Sequence, residues 1–496
     1  MKILFIHSFE SLLSIEKPLY SQNFIQFGIS YMSSYLKQFN HDTKVLILSR
    51  SFGSKSFGSK NYDITRKKIE NFKPEIIGFY SVATEYKFIS NISKFIKLNY
   101  PEIFLIIGGP HATLNPEEVV KDSFDAICIG EGEEPMLELV NMLQKNEFPS
   151  NIKNLWIKKG SIIEKNQMAP FYEKLDLLPF PDRIMWDEFI DYKQNFLENN
   201  ISVLMGRGCP YSCTYCCNHA LRKITNGNFV RFRSSRNIIE EIKLIHEKYP
   251  LENNIYLEVE SFNVNKEWAI KVCNEIEKYN KSLVTPLSFG VNIRITPNAN
   301  YEPLFEACRK ANISHFNIGL ESGSERVRKD ILKRNYSNDD VIKTTNLAKK
   351  YKLNYNFYVL IGIPGETIKD FKETIKICRI CQPKEVLEYI FYPYPGTDLH
   401  RLCEKMNLLN EKMNTGIERR QAIFNLPGFS KKQIQKSYIW FNYNVYKGYK
   451  SRIKLILKTI IKVLRSNFFI VLILSKFFDS HFMIKLKKYI ISFYFK

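Results

Sequence analysis

The segment Gly206 to Ala220, GRGCPYSCTYCCNHA, contains four of the ten cysteines of this chain. Three residues separate Cys209 from Cys213, two separate Cys213 from Cys216, and Cys217 follows directly. Thiolates are soft ligands that favour zinc, copper(I) or iron–sulfur clusters. The spacing therefore predicts a metal centre in this loop.

The cysteine pattern favours an iron–sulfur cluster over structural zinc. A zinc site usually combines two cysteine hairpins, or one hairpin with two histidines, whereas this chain has a single compact cysteine group. Zinc is the alternative, but it would need Cys217 or His219 to complete its tetrahedron. Three thiolates suit a [4Fe–4S] cluster whose fourth iron stays open to a small molecule. Cys217 is expected to be a bystander, because adjacent side chains in an extended loop point apart.

The loop follows the first of six strand patterns that alternate with helix patterns. The predicted strands are 201–205, 254–261, 287–294, 313–322, 355–364 and 386–396. Six consecutive βα units predict a partial (β/α)6 TIM-like barrel, in which chemistry collects at the carboxyl ends of the strands. Glu260, Arg294 and Glu321 fall at such ends. Salt bridges at the barrel rim are the alternative role for them.

The first part of the chain shows a similar alternation. Its apolar runs are 3–6, 44–48, 75–81, 103–109 and 125–133, with helix patterns such as 25–39 and 86–98 between them. Unbroken apolar strands separated by helices predict a parallel sheet covered on both faces. The expected fold is an α/β, doubly wound, Rossmann-like domain whose ligands lie beyond the carboxyl ends of its strands.

Four regions are therefore expected along the chain. The doubly wound domain occupies 1–148, a connector 149–196, the barrel 197–425 and a basic helical region 426–496. The connector contains LDLLPFPDR (175–183), whose prolines interrupt regular structure.

The cysteine loop, with Tyr215 before its third cysteine, resembles that of the radical S-adenosylmethionine (SAM) superfamily. The segments that extend the resemblance are RFRS (231–234), VESF (259–262), GLESGSERV (319–327), GIPGET (362–367) and YPYPGT (392–397). The resemblance implies that a [4Fe–4S] cluster binds SAM, and that one electron splits SAM into methionine and a 5′-deoxyadenosyl radical. It also implies that Cys209, Cys213 and Cys216 hold the cluster. The implied SAM contacts are Tyr215, Glu260, Arg294, Glu321, Tyr394 and Gly396, although relatives more often carry Asp at the position of Glu260.

The first domain resembles the cobalamin (B12)-binding domain that precedes the barrel in one class of this superfamily. The segments that carry the resemblance are IGFYSVATEY (77–86), IIGGPHATLNPEE (106–118) and DAICIGEGEEP (125–135). The resemblance implies six cobalamin contacts: Ser81, Thr84, Gly108, Gly109, Gly130 and Glu131. Tight βα turns are the alternative explanation of the paired glycines.

No histidine is expected to bind cobalt. Corrinoid proteins that use such a ligand carry Asp-x-His-x-x-Gly, and here only Asp479-Ser480-His481 begins that way, without the glycine. His111 follows Pro110 in a loop and is expected to be a turn or cofactor-tail residue.

The expected function is that of a radical SAM enzyme that methylates an unactivated carbon with the help of cobalamin. A B12-class cyclisation or rearrangement enzyme is the first alternative, and a non-catalytic cluster or corrinoid carrier is the second. An enzyme that methylthiolates transfer RNA would need three further cysteines in the first domain, which contains only Cys128. An electron donor such as flavodoxin or ferredoxin is expected, and no nucleic-acid partner.

The last fifty residues carry an unusual share of the charge. The chain has a formal net charge of +21, and residues 447–496 contain twelve Lys and Arg against one Asp. Basic amphipathic helices favour anionic membrane surfaces, so peripheral contact through 447–496 and a lipid- or isoprenoid-like substrate are hypotheses. A helical cap with solvated lysines is the alternative. The run 468–474 is too short to span a bilayer. The cysteines are not spread as in a disulfide framework and the N-terminus lacks a signal-peptide pattern, so a reducing cytoplasm is expected. Peripheral contact with the inner face of the membrane is the hypothesis that the basic region adds.

Overall fold

The computed structural model describes residues 1–10, 17–19, 21–50, 55–190, 200–409 and 418–466. These residues form two compact units. The first comprises Met1–Asn195 and Cys217–Arg231, and the second comprises Phe196–Cys216 and Phe232–Lys496. The part of the basic region beyond residue 466, including 468–474 and His481, lies outside the described residues.

The first unit is built on a twisted sheet with seven described strands. They are β1 (Lys2–Phe9), β2 (Asp42–Ser49), β3 (Ile76–Tyr80), β4 (Phe104–Gly108), β5 (Ala126–Cys128), β6 (Leu155–Lys159) and β7 (Ile162–Lys165). The spatial order is β2-β1-β3-β4-β5-β6-β7, and the first five strands run parallel. The chain order reverses at β1 and β3, which is where doubly wound folds bind their ligands.

Helices cover this parallel sheet, as the sequence predicts. The described helices of the first unit are α1 (Phe27–Gln38), α2 (Lys55–Phe72), α3 (Tyr86–Asn99), α4 (Pro110–Leu114), α5 (Pro116–Val119), α6 (Glu133–Gln144) and α7 (Cys217–Leu221). The stretch 149–196, expected to be a connector, contributes β6 and β7 as an antiparallel pair at the sheet edge. The prolines that predicted a connector all follow β7, so they leave this hairpin intact.

The second unit contains a six-stranded, all-parallel sheet. Its strands are β8 (Asn200–Leu204), β11 (Asn254–Glu258), β12 (Ser288–Ile293), β13 (Ile313–Glu321), β14 (Asn354–Ile361) and β15 (Glu385–Ile390). The spatial order, β8-β11-β12-β13-β14-β15, follows the chain order. Two short strands, β9 (Gly206–Arg207) and β10 (Arg231–Phe232), lie outside it. The predicted α/β fold class is confirmed, with every predicted barrel strand present.

Helices between the strands complete the βα units. They are α8 (Ser235–Lys248), α9 (Lys266–Asn280), α10 (Glu302–Lys310), α11 (Asn338–Lys350), α12 (Ile368–Cys381) and α13 (Asp398–Lys405). Three further helices follow: α14 (Lys431–Ile439), α15 (Phe441–Tyr446) and α16 (Arg452–Ser466). Among the described residues, no helix is both long and apolar enough to cross a membrane.

Candidate functional site

Hydrogen bonds from the side chain and backbone of Thr214 hold the cysteine loop at the carboxyl edge of the six-stranded sheet. The Thr214 hydroxyl donates to the carbonyl of Ile331 over 2.7 Å, and the Thr214 carbonyl accepts the N–H of Leu399 over 2.9 Å. Within the loop, the N–H of Cys216 donates to the carbonyl of Cys213 over 3.1 Å. Thr214 thus anchors the loop to two distant segments, and no sequence signal singles it out.

The three thiols lie in surroundings that suit a cluster. Cys213 is buried, whereas Cys209 and Cys216 are partly exposed. Burial, with smaller contributions from the nearby Glu260, Cys213 and Cys216, raises the pKa of Cys209 to about 11, although a hydrogen bond from the Tyr211 N–H opposes the rise. Coordination by a metal would replace the thiol proton and remove this penalty.

Among the described residues, no three His, Cys, Asp or Glu side chains lie close enough to hold a single metal ion. A [4Fe–4S] cluster does not need such convergence, because each cysteine binds a different iron. The donor set of Cys209, Cys213 and Cys216 therefore fits the predicted cluster.

Arg294 lies directly against one of these sulfurs. Its Nη1 is 2.9 Å from Sγ of Cys213, and its guanidinium stacks on the ring of Tyr211 with 3.8 Å to the centroid. The side-chain amide of Asn263 accepts the Arg294 N–H over 2.9 Å and donates to the Arg294 carbonyl over 2.6 Å. Arg294 follows β12 and is buried, so Asn263 and Tyr211 fix a cation beside the sulfur.

A second buried group joins Tyr215 of the loop to Glu321. The Tyr215 hydroxyl donates to Oε1 of Glu321 over 2.8 Å and accepts a hydrogen bond from Nη1 of Arg334 over 2.9 Å. Arg334 Nη1 is also 3.3 Å from Oε1 of Glu321. Burial raises the pKa of Tyr215, which keeps this hydroxyl protonated as a donor. The sequence did not identify Arg334, because its role depends on a partner 119 residues away.

The end of β13 is shaped so that the Glu321 carboxylate turns back toward the strand. Glu321 has φ of 58°, in the left-handed region that non-glycine residues seldom adopt, and the pairing with β14 shifts register between Gly319 and Glu321. A Cβ on Gly319 would lie 2.4 Å from Oε1 of Glu321. Gly319 therefore provides the space that this carboxylate occupies.

The remaining predicted SAM residues lie at two other strand ends. Glu260 is exposed just after β11. Tyr394 follows β15; its hydroxyl donates to Glu418 over 3.0 Å and accepts from Nε of Arg419 over 2.7 Å. Gly396 has φ of 84°, so the turn after Tyr394 favours glycine. Glu418 and Arg419 are further residues that sequence reasoning missed.

The strands also present a polar ladder that the sequence did not reveal. The Tyr256 hydroxyl donates to the Asn292 side chain over 2.6 Å and accepts from that of Asn317 over 2.7 Å. The amide of Asn356 donates to that of Asn317 over 3.0 Å. These four residues belong to four neighbouring strands, β11 to β14. On β11, burial raises the pKa of Glu258 to about 7. Hydrogen-bonding groups therefore line one face of the parallel sheet.

In the first unit, the turn after β4 passes very close to the end of β3. Gly109 has φ of 98°, and a Cβ there would lie 2.8 Å from the carbonyl oxygen of Ser81. Gly108 ends β4 beside this contact. Ser81 is fully buried, and Thr84 lies in the loop after β3. Glycine is therefore required at Gly109 by both conformation and space.

Several buried polar atoms at the carboxyl ends of β1 and β2 have no hydrogen-bond partner among the described residues. They are His7 Nδ1, Ser8 Oγ, Ser49 Oγ and Arg50 Nε. Buried polar atoms are rarely left unpaired, and those of His7 and Ser8 lie near the end of β1, one of the two strands at the topological switch point of the sheet. The first unit therefore fits a polar cofactor at this edge. Burial, together with the charge of Arg50, lowers the pKa of His7 to about 3.

Two of the predicted cobalamin residues lie in the turn after β5. The Gly130 N–H donates to the hydroxyl of Thr113 over 3.1 Å, and Gly130 has φ of 84°. The Glu131 carboxylate accepts two hydrogen bonds from Nη1 of Arg231, at 3.0 and 2.9 Å, and the N–H of Tyr172 over 2.7 Å. In the structure, the Glu131 carboxylate therefore connects the turn after β5 to Tyr172 and Arg231 by hydrogen bonds within the first unit.

His111, expected in a turn, lies in α4. Its ring packs on that of Tyr86 with centroids 4.3 Å apart, and its Nε2 lies 3.7 Å from Oε2 of Glu118. Burial lowers the pKa of His111 to about 4, which keeps the ring neutral near pH 7.

Comparison with known families and proteins agrees with these two units. Residues 203–378 match the model of the radical SAM superfamily, and residues 21–140 match that of the B12 binding domain. An uncharacterized methyltransferase of Pyrococcus horikoshii is 26% identical over 416 residues, covering 82% of this chain and 85% of its own length. The anaerobic magnesium-protoporphyrin IX monomethyl ester cyclase of Rubrivivax gelatinosus is 24% identical over 396 residues, covering 78% and 68%.

A solved structure has the same fold. The cobalamin-dependent S-adenosylmethionine radical enzyme OxsB, with aqua-cobalamin and S-adenosylmethionine bound, aligns with a TM-score of 0.67 at 15% identity. The alignment covers all of this chain and 79% of OxsB. The chain therefore contains a B12-binding domain, matched over residues 21–140, followed by a radical SAM domain, matched over residues 203–378.

Proposed function

We propose that this chain is a cobalamin-dependent radical SAM methyltransferase that acts on an unactivated carbon of a small molecule. The observation that carries the proposal is the three-thiol loop at the carboxyl edge of a parallel sheet, with Arg294 2.9 Å from Sγ of Cys213. The B12-binding domain in the same chain adds the means of methyl transfer, and the relative from P. horikoshii bears the name methyltransferase.

When bound, the cluster and SAM supply the 5′-deoxyadenosyl radical that removes a hydrogen atom, and cobalamin supplies the methyl group. The chain itself positions these groups. Arg294 donates to a ligand sulfur, while Glu321, held by Tyr215 and Arg334, presents a carboxylate that can accept hydrogen bonds from the amino or hydroxyl groups of SAM. Orphaned polar atoms near Ser8 and Ser49 can hydrogen-bond to the amides of a corrinoid.

The polar ladder supports a substrate that carries hydrogen-bonding groups. Tyr256, Asn292, Asn317 and Asn356 hold one another in fixed rotamers, and amide side chains both donate and accept. A lipid- or isoprenoid-like substrate would then need a polar end that reaches these groups.

The test is the product balance of protein reconstituted anaerobically with iron, sulfide, cobalamin and SAM. Cell extract supplies the unidentified substrate, and mass spectrometry follows both SAM products. One 5′-deoxyadenosine and one S-adenosylhomocysteine are expected per methylated product, because a second SAM restores the methyl group of cobalamin. Formation of neither product by cluster-loaded protein would overturn the proposal.

Neighbouring thiols offer a matched pair of variants. Cys216→Ser should lose the cluster and all SAM cleavage, whereas Cys217→Ser should keep both, because Cys217 begins α7 rather than the cysteine loop. Equal iron loss in the two variants would contradict the assignment of ligands.

A second candidate function is a B12-class cyclisation or rearrangement without methyl transfer. The relative from R. gelatinosus, a cyclase by name, favours it. This reaction would yield 5′-deoxyadenosine without stoichiometric S-adenosylhomocysteine, so the same assay separates the two candidates.

We propose that a flavodoxin or ferredoxin supplies the electrons. The cation of Arg294 beside the cluster ligand supports a one-electron reduction, since it favours the more negative reduced state. Replacing chemical reductant by reduced flavodoxin should sustain SAM cleavage.

We also propose that residues 447–496 contact the inner face of an anionic membrane. Support comes from α16, which buries Leu455 and Lys462 and exposes the apolar stripe Ile453, Ile456 and Ile460, whose side chains are 72, 47 and 49% accessible. Apolar stripes beside basic residues are typical of interfacial helices. The triple variant Ile453→Ser, Ile456→Ser and Ile460→Ser should lose binding to anionic vesicles. Unchanged binding would refute the proposal.

A further inference from the structure

A long groove runs along the outer surface of the second unit, between α12 and the α14–α15 pair. Its volume is about 920 Å³. Apolar side chains form its floor: Ile368, Phe371, Ile375, Trp440 and Tyr443. Trp440 is 41% accessible, which is unusual for so large a side chain. Trp440 and Ile380, which is 46% accessible, therefore leave apolar surface open in this groove.

The rim of the groove is cationic. Lys372 and Lys376 lie on the α12 side, while Lys436 and Lys447 lie on the opposite side, and all four are exposed. The lining residues, all within the described part of the chain, include no Asp or Glu. The groove therefore combines an apolar floor with a positive rim on both sides.

Local contacts fix the geometry of this groove. Arg379 of α12 donates to the carbonyls of Asn444, Val445 and Lys447, at 3.0, 3.2 and 3.0 Å. These bonds tie the carboxyl end of α15 to α12. Trp440 packs edge-on against Tyr443, with ring centroids 5.5 Å apart. The groove is thus a preformed feature of the fold, which lowers the cost of binding.

We propose that this groove binds one anionic phospholipid, with an acyl chain along the apolar floor and the phosphate between the lysines of the rim. Lysine ammonium groups bind phosphate as point charges. Trp and Tyr are favoured at the boundary between lipid and water. This site rests on the proposed membrane contact, which would bring the lipid to the groove. The helix proposed to make that contact, α16, packs against both α14 and α15.

Charge argues against the chain's own last segment as the occupant. Residues 467–496 carry five Lys and one Asp, so they would bring like charge to the lysine rim. The same argument disfavours a second copy of this basic chain. An acidic amphipathic helix from another protein has the right charge, and the experiment below distinguishes it.

The test uses short-chain lipids in monomeric form, so that it does not depend on membrane binding. Dihexanoyl phosphatidic acid is titrated into the full-length holoprotein while the heat of binding is recorded by calorimetry, with dihexanoyl phosphatidylcholine as the neutral probe. The acid should bind and the neutral lipid should bind at least tenfold more weakly. The triple variant Lys372→Glu, Lys376→Glu and Lys436→Glu should weaken binding of the acid at least tenfold.

The matched control is Lys271→Glu with Lys278→Glu, two exposed lysines on α9, which should bind like wild type. Trp440→Ser should also weaken binding of the acid. Because it changes one exposed side chain, it tests the groove even if the triple variant fails to fold. Undiminished binding by both groove variants, or no binding by wild type, would overturn the lipid site. Saturable binding of an acidic helical peptide in place of the lipid, or tighter lipid binding after removal of residues 467–496, would overturn it as well.

The two membrane proposals fail separately. Loss of vesicle binding in the α16 stripe variant, with binding of the monomeric lipid retained, supports both. If the α16 stripe variant still binds vesicles, only the proposed α16 contact is refuted. The titration with monomeric lipid then decides whether the groove binds lipid.

Discussion

The guanidinium of Arg294 donates to Sγ of Cys213 over 2.9 Å while stacking on Tyr211. The two residues are 81 positions apart in the chain, and the register of β8, β11 and β12 brings them together. Hydrogen bonds and positive charge at a ligand sulfur raise the reduction potential of an iron–sulfur cluster. With the proposed cluster bound to Cys213, Arg294 would act on it through the sulfur, as a positioning residue.

Replacing this cation should make the cluster harder to reduce. Arg294→Met should shift the midpoint potential of the reconstituted cluster to more negative values, by roughly tens of millivolts. A redox titration followed by EPR measures the shift. Arg309→Met, on the surface helix α10, is the control and should leave the potential unchanged. Equal potentials in wild type and Arg294→Met would disprove the role.

The contact between Gly319 and Glu321 predicts a sensitive position beside the proposed SAM site. In Gly319→Ala, the new methyl group would meet Oε1 of Glu321 at 2.4 Å and displace the carboxylate from Tyr215 and Arg334. We expect SAM affinity to fall about tenfold or more, with the cluster retained, as measured by equilibrium dialysis. Gly28→Ala is the control, because a Cβ on Gly28 meets nothing within 4 Å. Wild-type SAM affinity in Gly319→Ala would show that Glu321 does not contact SAM.

Buried Glu366 predicts a specific dependence of stability on pH. Burial raises its pKa from 4.5 to about 8, although the N–H groups of Gly362 and Ile363 donate to it and nearby Arg326 opposes the rise. Between these values the folded chain holds a proton that the unfolded chain has lost, so stability falls as pH rises through this window.

Glu366→Gln removes the titration and keeps an oxygen for the two N–H groups. Relative to wild type, the variant should gain about 1–3 kcal/mol between pH 5 and pH 8. Chemical denaturation at several pH values measures the difference. Parallel pH profiles for the two proteins would refute the assignment.

The buried pair of Lys462 and Glu388 should hold α16 on the second unit. Both side chains are buried and form an ion pair, and Lys462 also donates to the Tyr438 carbonyl over 2.8 Å. Lys462→Met leaves the carboxylate buried without its cation and should cost about 3–5 kcal/mol.

The double variant Lys462→Met with Glu388→Gln should recover much of that loss, because no charge remains buried. Thermal and chemical denaturation of the three proteins test the coupling. Equal loss in single and double variants would show that the ion pair itself is not the anchor.

Local patterns were sufficient to predict most of the strands and helices. Apolar runs such as 201–205 and 254–261 match β8 and β11 closely, because an alternation of strands and helices depends on side chains a few positions apart. The pair β6 and β7 was missed, since its short antiparallel strands break the βα rhythm. The sequence also did not show which face of α16 is buried. The periodicity of this helix predicts that it is amphipathic, but only the contact between Lys462 and Glu388 shows that the face with Lys462 is buried.

The sequence by itself determined the spacing of the cysteine loop, the order of the two domains and the strand ends that carry Arg294 and Glu321, because short motifs and periodicity encode them. Only the tertiary structure decided which side chains meet there. Arg334, Thr214 and the ladder around Tyr256 act through partners on other strands, and their roles depend on sheet register rather than on spacing along the chain. The groove between α12 and α15 likewise depends on the tertiary structure, because these two helices are far apart in the chain and pack side by side in the fold.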